Sequence, residues 1–407
     1  MTIPSLIPQK QRSNAVCRNA YWKNRTLLGC LDGRFACCGI LRIRSRRRKD
    51  MNMEDCFISG SQVYKYQLIN KLGAGSFGQV WLVYDTTIDK NMAVKIIPTR
   101  EPVNISHFRE SRTGSHFDHP NLVKVHYADI IQYKGEEFIV IAMDYLSRGS
   151  IVSKLNSLGF IDLPTAVNYM RNILFGLDHL HHLSFIHNDI KPNNILIGDA
   201  GQAVLSDYGI TYTQSDSGTD HIQSYILHQA PETQMRNAVS IQTDIYQCGI
   251  TAFRLFSNIN HFSNLYNKIG NDAYNARIIS GNLITDTSFP PYVPTKIRNI
   301  IKKATASDPN MRYQTAYEML EDFNKIAFPG YWTANATNQL IGKKRTSKNE
   351  FSFEIIPCSK KRFNVMAYVY YPQSQRKNKI SDFSNSNLTE MNAKKLVNRF
   401  IKHVIEQ

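Results

Sequence analysis

Residues 185–209 read FIHNDIKPNNILIGDAGQAVLSDYG. Asn194 lies five positions after Asp189, and Asp207 eighteen after it. Short apolar runs flank these side chains, so the three polar groups fall on loops between brief strands. Two carboxylates and an amide oxygen suit hard divalent cations. The same set can orient a hydroxyl, and these are the parts that phosphoryl transfer requires.

Upstream, YKYQLINKL (64–72) and LVYD (82–85) read as strands around GAGSFGQV (73–80). The glycines Gly73, Gly75 and Gly78 therefore sit in a hairpin, whereas a dinucleotide-binding turn would lead straight into a helix. A glycine hairpin of this kind can close on triphosphate oxygens. MAVKII (92–97) then sets Lys95 seventeen residues after Gly78, among apolar neighbours. Such a lysine either snorkels to the surface or is a buried cation in need of anions. The hairpin before it favours the second reading. LPTAVNYMRNILFGLDHLHHLSFI (163–186) carries Val167, Met170, Ile173, Leu174, Leu177 and Leu180 at helical spacing and runs directly into the opening stretch.

Taken in order, MAVKII, IHNDIKPNNILI, LSDYG, APE (230–232), TDIYQCG (243–249) and DPNMRYQTAYEML (308–320) resemble the eukaryotic-type (Hanks-type) protein kinase family. The resemblance covers roughly residues 64–327, and RYQTA is similar to bacterial serine/threonine kinases in particular. It implies an α+β, two-lobed protein-kinase-like fold with a small β-rich N-lobe and a larger helical C-lobe. The implied activity is transfer of the γ-phosphate of Mg-ATP to Ser/Thr hydroxyls of a protein substrate, with ATP and Mg²⁺ as cofactors. By the same resemblance Asp189 is the base that orients the acceptor hydroxyl, Lys191 steadies the γ-phosphate, and Asn194 and Asp207 are the Mg²⁺ ligands. Lys95 would contact the α/β-phosphates and Val80 would cover the adenine. Met143 would line the adenine pocket, with Asp144 and Leu146 in the hinge.

The family pairs this lysine with a glutamate on the next helix. Between Lys95 and Asp118 only Glu101 and Glu110 are glutamates, and Glu101 stands too close, beside Pro102. Glu110 is the candidate. Its segment, SHFRESRTGSHF, is rich in Ser and contains Gly114, so a weakly formed helix and a regulatable Lys95–Glu110 pair are expected. His187, Glu232, Asp244 and Arg312 are implied to be structural, Arg312 pairing with Glu232. His179, His181 and His182 lack the carboxylate or cysteine that would complete a metal set.

The chain departs from the family at Asn188, where an arginine that pairs with an activation-segment phosphate is usual. Neutral Asn cannot make that pair, so activity independent of activation-segment phosphorylation is expected. Tyr208 replaces the usual Phe. Counting back from Ala230 puts Ser224-Tyr225 on the family's Gly-Thr pair, which removes a Thr that helps hold the base and lysine. Lys191, two residues after the base, favours Ser/Thr acceptors.

The charge is unevenly placed. The 407-residue chain carries +16 overall, but residues 1–50 hold twelve Lys/Arg against two Asp, and residues 331–407 hold fourteen against five acids. The body between them is slightly acidic. Basic flanks suggest an anionic partner, nucleic acid or anionic lipid, set against a merely solvated extension. Seven cysteines without a C-x-x-C pair argue against a disulfide framework or zinc site and for a reducing compartment. No segment approaches the ~20 apolar residues of a membrane span, so a cytoplasmic location is expected. Met51 and Met53 lead straight into the first strand and are alternative starts.

The expected organisation is a basic extension (1–60), a protein kinase domain (61–328), a polar linker (329–349) and a small basic C-terminal extension (350–407) with a hairpin and a terminal helix from about Leu388. Three other readings compete: a pseudokinase scaffold, a small-molecule phosphotransferase of related fold, and a nucleic-acid-binding protein acting through its flanks. The first is opposed by the presence of Lys95, Glu110, Asp189, Asn194 and Asp207. The second is opposed by the APE motif, Asp244 and Arg312, which point to a protein acceptor.

Overall fold

The computed structural model describes residues 56–75, 78–99, 118–155, 159–207, 212–213, 225–236, 238–359 and 361–406. Of these, Phe57 onward form one compact unit.

The first lobe is a six-stranded sheet. It comprises β1 (Gln62–Val63), β2 (Tyr66–Gly75), β3 (Gly78–Asp85), β4 (Lys90–Pro98), β5 (Val125–Tyr133) and β6 (Glu136–Asp144), in the order β1-β2-β3-β4-β6-β5, with every pairing antiparallel. Strict alternation in β3 buries Gln79, Trp81, Val83 and Asp85. The central strand β4 instead buries six residues in a row, Met92–Ile97, because both of its faces are covered. Lys95 sits in that run, paired across the sheet with Val80 and Ile141. Gly78 has φ +154°, and a Cβ there would stand 2.1 Å from the Ile96 carbonyl oxygen. The close approach of β3 to β4 therefore excludes any side chain at this position. DHPNLVKV (118–125) is not the strand its apolar letters suggest, for β5 begins only at Val125. A local turn wins: the His119 ring nitrogen accepts from the Asn121 amide at 3.1 Å, and the Leu122 amide donates to the His119 carbonyl.

The second lobe is built on α1 (Leu163–His182), whose start is fixed by the Asp162 carboxylate capping the Thr165 amide at 3.1 Å and by a proline in the first turn. The short pairs β7 (Phe185–Ile186) with β10 (Tyr212–Thr213), and β8 (Ile195–Ile197) with β9 (Ala203–Leu205), follow. The helices α2 (Pro231–Arg236), α3 (Ile241–Phe256), α4 (His261–Ile269), α5 (Asn271–Ile279), α6 (Thr295–Ala304) and α7 (Ala316–Asn324) complete it. Every residue of α3 from Thr243 to Phe256 is buried. The polar members of that run, among them Asp244, Gln247 and Arg254, must therefore find partners inside the protein. The fold is the two-lobed kinase architecture.

Residues 329–349, read from sequence as a linker, are structured. β11 (Gly330–Ala334), β12 (Leu340–Lys344), β13 (Ser347–Ser359), β14 (Arg362–Tyr371), β15 (Arg376–Lys379) and β16 (Asn385–Thr389) make one sheet, and α8 (Glu390–Glu406) lies on it. The polar letters mislead because they form a turn. The Asn335 carboxamide oxygen accepts from the Thr337 and Gln339 amides, and Asn338 takes a left-handed φ of +58°. Trp332 anchors the new core, its indole N–H donating to the Ile401 carbonyl at 3.1 Å. Of the apolar residues of the terminal helix, Val397, Phe400, Ile401, Val404 and Ile405 are buried, whereas Met391 is exposed. Tyr292 of the helical lobe packs against both this core and its own. Part of the positive charge here is engaged internally, as in Lys377–Glu354 at 3.0 Å and Lys343–Glu350 at 3.8 Å. Among the described residues no helix is long and apolar enough to cross a membrane.

Candidate active site

The loop after β7 owes its shape to one carboxylate beneath it. Asp244, near the start of α3, is fully buried and accepts from the His187 amide (2.9 Å), the Asn188 amide (2.7 Å) and the His181 imidazole (2.8 Å). Gln247, one turn along, accepts from the Ile190 amide and donates to the Asn188 carbonyl, each at 2.9 Å. Together the two side chains satisfy the amides of residues 187, 188 and 190 and the Asn188 carbonyl. Asn188 takes φ +58°, a conformation Asn tolerates well. Gln247 was missed in reading the sequence. Its signal was a glutamine three residues after Asp244 on a largely apolar helix.

Asp189 projects from this braced loop. Its Oδ2 accepts from Lys191 at 2.6 Å and from the Asn194 carboxamide at 2.8 Å, and the same Asn194 group donates to the Asp189 carbonyl at 2.9 Å. His187 is a core histidine: its Nδ1 accepts from the Asp189 amide and its Nε2 donates to the Ser206 carbonyl. β8 and β9 return the chain so that the Ser206 amide bonds the Asn194 carbonyl at 2.8 Å, which brings Asp207 next to the loop. Asp207 also has a positive φ, +70°.

The two lobes meet chemically at Lys95, whose ammonium pairs with the Asp207 carboxylate. Burial would raise the Asp207 carboxyl, but Lys95, with smaller help from Lys191 and His187, holds it below the usual range. Val80, Lys95, Asp189, Lys191, Asn194 and Asp207 are thus linked by strand pairing and direct bonds. Glu110 and its pairing with Lys95 lie outside the described residues. So do Tyr208 and most of the activation segment. Gly73 pairs with Val80, and Gly75 with Gly78, in the β2–β3 hairpin.

Met143 pairs with Ala93 across β4 and β6. Asp144 and Leu146 line a cleft of about 440 Å³ with His119, Lys124, Gln202 and Val204. The Asp144 carboxylate is bound to His126 at 2.7 Å and Lys90 at 3.3 Å; burial alone would raise its pKa, but these two partners lower it. It is therefore engaged behind the connector between the lobes, and its amide donates to the Lys124 carbonyl.

Among the described residues no group of three or more His, Cys, Asp or Glu could hold a metal. The donor set on offer is mixed. Asn194 presents its Nδ2 to Asp189, and Asp207 presents Oδ1 to Lys95, so Asn194 Oδ1 and Asp207 Oδ2 have no protein partner among the described residues. Two uncommitted oxygens, one amide and one carboxylate, fit a hard cation such as Mg²⁺.

Further along, Arg312 is fully buried and forms a two-pronged pair with Glu232, both bonds 2.8 Å, while Thr243 donates to the same carboxylate.

Residues 66–323 match the protein kinase domain family, and the chain belongs to that family, in its eukaryotic-type (Hanks-type) form. It is 31% identical over 276 residues to serine/threonine-protein kinase PrkC of Bacillus subtilis, an overlap of 65% of this chain and 40% of that protein. It is 25% identical over 268 residues to probable serine/threonine-protein kinase PknB of Lactococcus lactis (63% and 41%). To serine/threonine-protein kinase PknA of Mycobacterium tuberculosis it is 26% identical over 261 residues (62% and 58%). The chain thus spans about two to three fifths of the length of these curated relatives.

Proposed function

We propose that this chain is a serine/threonine protein kinase that uses Mg-ATP. The observation that carries the reading is the Lys95–Asp207 pair beside the Asn194–Asp189–Lys191 group, the two connected through the bond of the Ser206 amide to the Asn194 carbonyl. Asp189 accepts the proton of the acceptor hydroxyl through its second oxygen, which has no protein partner among the described residues. As the hydroxyl oxygen bonds to the γ-phosphorus, the bond to the β,γ-bridging oxygen breaks and ADP leaves. Lys191 and Lys95 carry positive charge at the two ends of this path. Lys191 steadies the γ-phosphate and Lys95 the α/β-phosphates. Asn194 and Asp207 would hold Mg²⁺, which when bound supplies charge neutralisation at the phosphate oxygens. The adenine would lie under Val80 and against Met143, with Asp144 and Leu146 serving through the connector backbone. A labelled-phosphate assay with Mg-ATP and a generic protein acceptor tests the reading. Transfer that is absent in the wild type, or equal in Asp207→Ala, overturns it.

This reading includes a catalytic loop that is not switched by a neighbouring phosphate. Asn188 is buried, meets Asp244 and Gln247 through its backbone, and carries no charge to offer. Replacing Thr211, Thr213, Ser215, Ser217, Thr219 and Ser224 by alanine is expected to change kcat less than about tenfold, against the hundredfold or more typical of a phosphate-ordered loop. A folded alanine series without activity would refute this.

A further inference from the structure

Arg254, in the last turn of α3, is only 5% exposed. Its Nε donates to the Ile259 carbonyl at 2.9 Å and its Nη1 to His228 Nε2 at 2.7 Å. His228, 1% exposed, bonds the Ile190 carbonyl through Nδ1 at 2.8 Å, so Nδ1 bears the proton and Nε2 the lone pair. The imidazole is thus neutral: burial, then the charge of Arg254, pushes its pKa well down. Among the described residues the partners of the guanidinium are neutral, its Nη2 makes no hydrogen bond, and no carboxylate pairs with it. The helix C-terminus and the Ile259 carbonyl offset part of this charge. They do not replace the counter-ion that a buried cation ordinarily has. Arg312, on the same helical lobe, has its glutamate.

The place of this charge is informative. His228 is bonded to the residue between Asp189 and Lys191. The Tyr225 ring lies tilted against the His228 ring at 5.6 Å, and Lys191 Nζ lies 5.1 Å over the Tyr225 ring. A chain of contacts therefore leads from the acceptor site to Arg254 within about four residues of extended peptide. We infer that Arg254, held by His228, is an anion subsite for the acceptor polypeptide, taking a carboxylate or phosphate side chain within about four residues of the hydroxyl to be phosphorylated. This rests on the kinase reading and adds a substrate class to it.

The test uses the full chain, treated with phosphatase, and serine peptides carrying Ala, Glu, phosphoserine or Lys at each position from four before to four after the acceptor. One acidic position is expected to raise kcat/KM about tenfold or more over alanine, the effect of a charge-assisted bond. Arg254→Gln should remove that preference, and Arg254→Glu should turn it towards Lys at the same position. Should these variants fail to fold by thermal melting, the wild-type library still decides, and Arg254→Lys should retain a weaker acidic preference. Peptide phosphorylation with no acidic preference overturns the inference alone. A wild-type chain that phosphorylates no peptide overturns the kinase reading and the inference with it.

Discussion

Asp189→Asn is expected to lower kcat by about 10²–10⁴-fold while leaving the KM for ATP nearly unchanged. The geometry explains why so small a change should cost so much. Asp189 Oδ2 is held by two donors, Lys191 and the Asn194 carboxamide. An asparagine placed there would turn its oxygen to those donors to avoid facing them with its own N–H groups. Its amide nitrogen would then occupy the position from which the carboxylate accepts the hydroxyl proton. A donor would stand where an acceptor is required, with packing and fold intact. Steady-state kinetics with unchanged thermal melting would check this. A loss below tenfold would mean that Asp189 is not the group that orients the hydroxyl.

Arg312→Ala is the substitution expected to cost most in stability, about 3–5 kcal/mol in denaturant unfolding. Arg312 donates to the Ala306, Ser307 and Gln242 carbonyls as well as to both oxygens of Glu232, and its guanidinium lies 4.9 Å over the Tyr246 ring. Truncation strands the Glu232 carboxylate in a largely buried site and leaves three carbonyls short of a donor. Glu232→Gln combined with Arg312→Met should recover much of the loss, since removing both charges also removes the desolvation cost. A single-variant cost below about 1 kcal/mol would show that the pair is no more than a surface bridge in effect.

The parts legible in the sequence were those whose chemistry is local. Strand β4 and Lys95, the helix before the catalytic stretch, and the spacing of Asp189, Asn194 and Asp207 could all be read because periodicity or loop length fixes them. The Arg312–Glu232 pair came from family resemblance, and its geometry is now explicit. Other features could not be read because they depend on distant partners. Gln247 and His228 look like isolated polar letters until the fold sets them against residues 188–190. The β11–β12 strands were hidden because Asn335, Thr337 and Asn338, which form a tight turn, have the composition of a linker. Asp144 shows a further limit: its position in the connector was readable, but its attachment to His126 and Lys90 was not.

Asp244 has a wider consequence. It fixes the amides of residues 187 and 188 from below, through backbone atoms that every residue other than proline possesses. The shape of this loop is therefore set largely from the helical core, at a left-handed position that suits Asn better than a β-branched side chain. A substitution at 188 by another residue that accepts a left-handed φ is therefore expected to leave the Asp189 carboxylate where it stands.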